Sequence, residues 1–437
     1  MPLTGVGSAT APRTEAPVDS STPIFALRRS FAELQHGVLG LARSTGRLGI
    51  SVYAVRGSAR EPATSSRYLR GGFELQAGAS DEHLLAALRR FGGGLGRRCV
   101  LLALDDASAV FVADHHELLD EPFVIPKAAP GMHRRLVNKR QLWQLCQRLG
   151  LACPASSFPT SEDQARELSR AYGYPVVLKQ SAPWLESRDS HAPTVLIVRS
   201  RDELVAGYRR MESHHEPNVI VQEYIPGGSE TVWMFNGYFA RGSECLCAFT
   251  GRKLRQRGPR TGPTTLGVCA WNESVASAAK LLMSEIDYHG IVDMGFRYDH
   301  RDGQYKLLDV NPRLGSSFRL FVGDNGIDVV RAAYLDLTGQ PVPHSRARDG
   351  RKWLVEPYDL VTSGQVAAQG ALSLKAWRRS LRGIEEAAWW ARDDPLPFLT
   401  MCASLGPHGL SYRGRQRRER RMAPAPARVI PSHELVA

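Results

Sequence analysis

The sequence predicts a mixed α/β fold built in at least two units, and three observations carry that reading. Residues 23–130 alternate short β-rich runs with helical stretches, the pattern of a small open unit around a parallel sheet. Pro122, Pro126 and Pro130 then punctuate the chain, as a linker does. Beyond them a second series begins in which capped helices alternate with apolar strands that end in charged residues. At 437 residues the chain is long enough for two or three domains.

In the first unit, strands are expected at 49–54 and 99–103, with the glycine-bearing stretch His36-Gly37-Val38-Leu39-Gly40-Leu41-Ala42-Arg43 opening a helix. Those glycines fall short of GxGxxG, so a packing role is preferred to a dinucleotide site. After the linker, 136–149 reads as one amphipathic helix with Lys139 and Arg140 in its first turn. A helix at 161–172, with Ser161 as N-cap, leads to a strand at 174–180 that ends in Lys179. Lysine at the end of an apolar strand is costly unless it meets an anion or reaches solvent.

A strand at 194–198 and a helix at 201–211 come next. Val219-Ile220-Val221-Gln222-Glu223-Tyr224-Ile225 is then a strand broken by Pro226-Gly227-Gly228, with a second acid at Glu230. Further on, Tyr305-Lys306-Leu307-Leu308-Asp309-Val310-Asn311-Pro312-Arg313 places a carboxylate and an amide two residues apart at a strand end. Positions i and i+2 of a strand share a face, so Asp309 and Asn311 can offer hard oxygen ligands to one Mg²⁺. Pro312 stops the strand and Arg313 adds fixed positive charge. Taken alone, each of these residues has a plain reading as a turn, a surface acid or a solvated lysine. In series they are the parts of a nucleotide site: ammonium groups for phosphates, backbone for the adenine edge, a carboxylate for ribose and a metal pair across the terminal phosphates.

On these motifs residues 24–340 resemble the ATP-grasp superfamily, and within it the carboxylate-amine ligase branch that includes carbamoyl-phosphate synthase. The resemblance implies an α/β and α+β chain: a Rossmann-like preATP-grasp domain at 23–130, a two-subdomain ATP-grasp fold at 131–343 and a small helical extension at 344–405, between tails at 1–22 and 406–437. It also implies ATP and Mg²⁺ as cofactors, activation of a small carboxylate as an acyl phosphate, and capture by an amine. By motif, Lys139 and Lys179 take the phosphate-binding positions, Glu223, Tyr224 and Ile225 the adenine hinge, and Glu230 the ribose acid. Asp309 and Asn311 take the metal pair, and Arg313 and Lys179 the catalytic charges. The segment Phe249-Thr250-Gly251-Arg252-Lys253-Leu254-Arg255-Gln256, followed by Thr264-Thr265-Leu266-Gly267, is similar to one that lies near the nucleotide.

Two departures from the family pattern stand out. Gly295 occupies a position where many relatives carry a metal-holding side chain, and Asp293 on the same strand face is the candidate replacement. The loop at 181–193 carries Trp184, Glu186, Arg188, Asp189 and His191 where several relatives have a glycine-rich phosphate cover. These leave, as the alternative function, a non-catalytic ATP-binding regulatory or membrane-associated protein derived from such a ligase. Arg252, Lys253, Arg255, Arg257 and Arg260 read either as an anionic-substrate loop or as an exposed charge run, and Arg319 as either a substrate-carboxylate ligand or a salt bridge.

Seven cysteines, an odd number with no CxxC pair, fit reduced thiols. No apolar run approaches membrane-spanning length and the N-terminal segment lacks a signal pattern, so a cytoplasmic protein with a loose N-terminal tail is expected. Part of the +12 formal charge sits in Arg413, Arg415, Arg417, Arg418, Arg420 and Arg421. A solvated tail is the expectation there, with weak contact to an anionic membrane surface as the alternative. With no interleaved aromatics, helix-turn-helix or finger pattern, sequence-specific nucleic-acid binding is not expected. A homodimer is the default oligomer. The tryptophans beyond Pro343 read as core or docking surface that packs on the catalytic domain, with a helix at 374–391 that Asp393 and Asp394 end.

Overall fold

The structure is a computed structural model that describes residues 17–31, 34–57, 61–76, 78–182, 193–212, 217–258 and 262–405. The arginine-rich run, residues 183–192 of the divergent loop, and Arg260 lie outside the described residues.

The first unit is a parallel sheet of five strands, β1 (Ile24–Leu27), β2 (Val52–Arg56), β3 (Leu69–Glu74), β4 (Cys99–Ala103) and β5 (Phe123–Val124), in the order β3-β2-β1-β4-β5. All four residues of β1 are buried, as a central strand covered on both faces requires. The order reverses between β1 and β4, which opens a crevice beyond their carboxyl ends. Asp105 closes one wall of it by accepting hydrogen bonds from the backbone N–H groups of Arg29 and Ser30, at 2.8 and 2.7 Å. Asp106 follows as the first residue of the helix Asp106–Asp114.

After the linker, the single helix expected at 136–149 is two: Met132–Val137 and Lys139–Leu149. Asn138 between them is extended, and its side chain accepts from Gln141 N at 3.0 Å as the N-cap of the second helix. The break leaves Lys139 at the first helical position.

An antiparallel sheet of four strands follows: β6 (Ser156–Ser157), β7 (Val176–Gln180), β8 (Val195–Val198) and β9 (Val219–Glu223), ordered β6-β9-β7-β8. Helices Glu162–Ser169 and Arg201–Met211 cover it, each started by a serine N-cap, Ser161 and Ser200. Their buried Ala165, Leu204, Tyr208 and Met211 meet Val176, Leu178 and Val221 of the sheet.

The third sheet has seven strands: β10 (Val232–Phe239), β11 (Cys245–Gln256), β12 (Thr264–Cys269), β13 (Gly290–Asp299), β14 (Gln304–Asn311), β15 (Lys352–Leu354) and β16 (Ile384–Ala387). Their order is β14-β13-β10-β11-β12-β15-β16. Alternation along β10 and β13 divides its two faces. Phe235, Phe239, Met294 and Phe296 pack under the helix Glu273–Glu285 through Val275, Ala279, Leu282 and Met283, each large side chain contributing about 1.5–3 kcal/mol. The residues between them, Asn236, Asp293, Gly295 and Arg297, face the other way.

The expected helix at 374–391 ends at Ser380. Gly383 follows at φ 77°, a left-handed turn that glycine takes without strain, and the chain enters β16, parallel to β15. Asp393 and Asp394 therefore do not end a helix that spans them. Asp394 accepts from Arg43 Nε at 2.9 Å in a buried pair, and Asp393 accepts from Arg47 Nε at 2.8 Å. Both arginines belong to the first unit, so the C-terminal segment ties the five-stranded unit to the large sheet. Trp353 and Trp389 are buried in that contact, whereas Trp390 is exposed. Among the described residues no helix is long and apolar enough to cross a membrane.

Candidate active site

A cleft of about 290 Å³ separates the four-stranded sheet from the seven-stranded one. Val177, Val195 and Ile197 form one wall and Val232 and Leu308 the other, with Gln222-Glu223-Tyr224-Ile225 and Pro154 at the back. The apolar walls suit a flat base. Toward the other end the lining becomes charged, with Lys179, Lys253, Arg297 and Asp309.

The charged end follows from register. Gly295 of β13 stands opposite Asp309 of β14, and Asp293 opposite Asn311. Asp309, Asn311 and Asp293 thus share one patch of one sheet face, and Asn311 Nδ2 donates to the Asp293 carbonyl at 3.1 Å. Lys139 Nζ reaches Asp309 Oδ1 at 2.5 Å from its helix start. Burial alone would raise the Asp309 carboxyl, but Lys139 and Lys179 together hold it down to about 2. Burial lowers the Lys179 ammonium against the pull of Asp309, and burial pushes Lys253 down to about 8 although Asp293 and Asp309 favour its charge. Asp293 is raised by burial despite Arg313 and Lys253 nearby.

Arg313 sits just beyond, with Nε on Asp106 Oδ1 at 3.0 Å and Nη1 on Asp293 Oδ2 at 3.4 Å. At the hinge, the Glu223 backbone N–H donates to the Ala155 carbonyl, and its Oε1 accepts from Ala155 N, both at 2.9 Å. Arg301 and Lys306 complete its carboxylate at 2.7 and 3.1 Å. Burial would raise this carboxyl, and the Ala155 N–H with the two cations brings it below the ordinary range. Glu230 is exposed outside the cleft lining, its Oε1 accepting from Gly228 N at 3.0 Å.

The structure therefore brings Lys139, Lys179, Glu223, Tyr224, Ile225, Asp293, Asp309, Asn311 and Arg313 to one site. It does not bring Glu230, Arg252, Arg255 or Arg319 into the cleft lining. Arg252 is exposed on β11. Arg255 grips the buried Asp359 with Nε and Nη2 at 2.7 and 3.0 Å. Arg319 grips Glu386 at 2.7 and 2.6 Å and also reaches Asp328.

Sequence reading passed over Arg297 and Asp106 and left Lys253 within a basic run. The signal for Lys253 and Arg297 was alternation: each lies on a strand, at a position whose side chain faces the cleft.

The residues present fit Mg²⁺. Asp309, Asp293 and Asn311 are hard oxygen donors on neighbouring strands, the donor type this cation takes. Among the described residues no group of three or more His, Cys, Asp or Glu could hold a metal alone. A cation here would complete its shell with water and phosphate, as Mg²⁺ commonly does.

The class these features define is the ATP-grasp fold, shared with carboxylate-amine ligases. The chain matches, at a TM-score of 0.58 and 16% identity, a crystal structure of an L-amino acid ligase from Bacillus licheniformis, over 77% of this chain and 79% of that one. By sequence it is 27% identical over 247 residues to a D-aspartate ligase of Enterococcus faecium, covering 54% of this chain and 58% of that protein. It is also 22% identical over 208 residues to the N-terminal section of the carbamoyl phosphate synthase large chain of Methanopyrus kandleri, covering 46% and 35%. The chain thus spans about half the length of the curated relatives it matches. No protein-family model matches it.

Proposed function

We propose that this chain is an ATP- and Mg²⁺-dependent ligase that phosphorylates a small carboxylate and couples the acyl phosphate to an amine. The observation that carries the reading is the convergence of Lys139, Lys179, Lys253 and Arg297 with Asp309, Asn311 and Asp293 at one end of an apolar-walled cleft. In this reading the backbone of Glu223 to Ile225 meets the adenine edge. Lys139, Lys179, Lys253 and Arg297 take the phosphates. Mg²⁺, held by Asp309, Asn311 and Asp293, would neutralise charge on the transferring phosphoryl group. Arg313, fixed by Asp106, offers its guanidinium to the same charge as it develops. No side-chain nucleophile is needed, because positioning and charge stabilisation suffice.

Kinship with an enzyme named for D-aspartate makes amino acids, aspartate of either hand among them, the first acceptors to try. Phosphate release with ATP and Mg²⁺ across pairs of carboxylates and amines tests the reading. Turnover for any pair supports a ligase, and ATP binding with no release for every pair supports a nucleotide-binding protein that has lost the chemistry. One observation favours that second reading: Gly295, opposite Asp309, offers no side chain to a cation there.

A further inference from the structure

We propose that Cys146 and Cys153 form a thiol–disulfide site at the hinge end of the cleft, oxidised by a low-molecular-weight disulfide such as oxidised glutathione, and that its state sets ATP affinity. The second half rests on the functional reading above.

The geometry comes from the end of one helix. Cys146 lies in the last turns of Lys139–Leu149, which Gly150 caps at φ 65°, and Leu151 N donates back to the Cys146 carbonyl at 3.0 Å. That turn lays Cys153 against the helix it has just left. Cys153 Sγ accepts from Gln147 Nε2 of that helix at 3.4 Å, one residue along from Cys146. Both cysteines line a small space shared with Lys139 and Lys179. Cys153 is half-buried and Cys146 buried, so an incoming disulfide meets Cys153 first.

The electrostatics assign the same order. The neighbouring Cys146 thiol and Gln147 Nε2 draw the Cys153 thiol down against the opposing effect of burial, with Glu223 and Lys306 the charged groups facing it. The neighbouring Cys153 and burial push Cys146 up. Cys99, Cys247 and Cys269 are buried and pushed up by burial, unlike Cys153.

The chemistry balances. The Cys153 thiolate attacks one sulfur of the small disulfide and expels one small thiolate, which takes the Cys146 proton. Cys146 then attacks the Cys153 sulfur and expels the second. Two protein thiols are oxidised and one small disulfide is reduced to two thiols.

The consequence for the cleft follows from what Cys153 adjoins. A disulfide holds its sulfurs at about 2.05 Å, closer than any contact between two free thiols, so closing it draws residue 153 toward the helix. Pro154 lines the cleft, and Ala155 exchanges two hydrogen bonds with Glu223 at the hinge. The shift is therefore delivered to the hinge itself, and ATP should bind at least about fivefold more weakly to the disulfide form. Linkage then requires ATP to disfavour the disulfide by the same factor.

The test uses the full chain carrying Cys402→Ser, which removes the exposed thiol. The protein is equilibrated in reduced and oxidised glutathione mixtures with and without ATP, digested and weighed, and ATP affinity is measured by calorimetry on both forms. The expected result is a Cys146–Cys153 cross-linked peptide lighter by two hydrogens, a fivefold or greater loss of ATP affinity and a matching shift of the glutathione ratio at half-oxidation when ATP is present. Cys146→Ser should stop at a glutathione adduct on Cys153, and Cys153→Ser should make ATP affinity indifferent to oxidant. Absence of the cross-linked peptide overturns the site. A cross-link that leaves ATP affinity and the half-oxidation ratio unchanged overturns the coupling. No ATP binding by the reduced chain overturns the functional reading and the coupling with it, while the peptide mass still reports on the disulfide.

Discussion

Arg313 and Asp106 join two sheets at the site: Asp106 opens the helix after β4 of the parallel sheet, and Arg313 lies just past the end of β14 in the seven-stranded one, with Nε to Oδ1 at 3.0 Å. Burial would lower the guanidinium, and Asp106 and Asp293 keep it charged. The first unit thus does more than abut the cleft. It sets the direction of the arginine proposed to meet the reacting phosphoryl group.

Asp106→Ala should therefore misdirect Arg313 without touching the nucleotide walls. The expected outcome is a drop in kcat of roughly tenfold to a hundredfold, the scale of a displaced catalytic group, with ATP affinity within about twofold of the parent. Calorimetry and steady-state kinetics on the same preparation separate the two. An equal loss in ATP affinity would mean that Asp106 serves the nucleotide rather than Arg313.

Asp309 holds Lys139 at 2.5 Å and is held down to about 2 by Lys139 and Lys179. Asp309→Asn leaves both ammonium groups without their carboxylate partner and ready for phosphate. Free ATP should bind as well as or better than before, the added gain from Mg²⁺ should vanish, and turnover should fall by roughly a thousandfold. Calorimetry with and without Mg²⁺ reads the first two. Mg²⁺-dependent binding that survives the change would place the metal elsewhere.

How legible the site was depends on how local each relationship is. Asp309 and Asn311 are an i, i+2 pair on one strand, and Lys179 ends an apolar run, so short spacing sufficed. Asp106 and Arg313 are 207 residues apart, and nothing in either neighbourhood announces the other. Lys253 was hidden by its company, since a run with Arg252, Arg255 and Arg257 reads as an exposed loop. Only the strand register, Lys253 opposite Gly267 on β12, shows which of these side chains turns inward. The helix misread at 374–391 has the same cause in reverse. Trp377 donates to Asp359 from the short helix and Trp389 is buried after β16, and the turn at Gly383 outweighs helical spacing.

Gly295 offers a gain rather than a loss. Its φ is not in the left-handed region, and a Cβ there meets nothing within 4 Å, so Gly295→Asn should fold as the parent does. The amide would project from the position facing Asp309 and add an oxygen donor to the set. Half-saturating Mg²⁺ for ATP binding should fall by roughly tenfold. No change in that midpoint would show that Asp293 already fills the role.

Arg255 and Asp359 form a buried two-pronged pair, with Thr265 Oγ1 and Trp377 Nε1 also donating to the same carboxylate at 3.1 and 3.0 Å. Removing the arginine leaves a buried carboxylate without its cation, which costs about 3–5 kcal/mol. Arg255→Met should lower the denaturation midpoint accordingly, while ATP affinity at low temperature, where the protein stays folded, holds within about twofold. A large change in affinity with unchanged stability would return Arg255 to the substrate site.

Lys253 gives the site its pH dependence. Burial lowers its ammonium to about 8, and Nζ donates to the Gly262 carbonyl at 2.7 Å. In the free protein at pH 8 the group is therefore part neutral. Phosphates arriving beside it favour the charged form and raise its pKa, so binding must take up a proton, roughly half of one at pH 8. The sign follows: ATP affinity is flat below about pH 7 and declines as pH rises through 8 toward 10, because the proton becomes costlier to recruit. Calorimetry at pH 8 in buffers of different ionisation enthalpy should show this uptake as a slope in the observed heat, and Lys253→Met should flatten it. A slope that persists in the variant would assign the proton to another group, with Lys179, also lowered by burial, the first to examine.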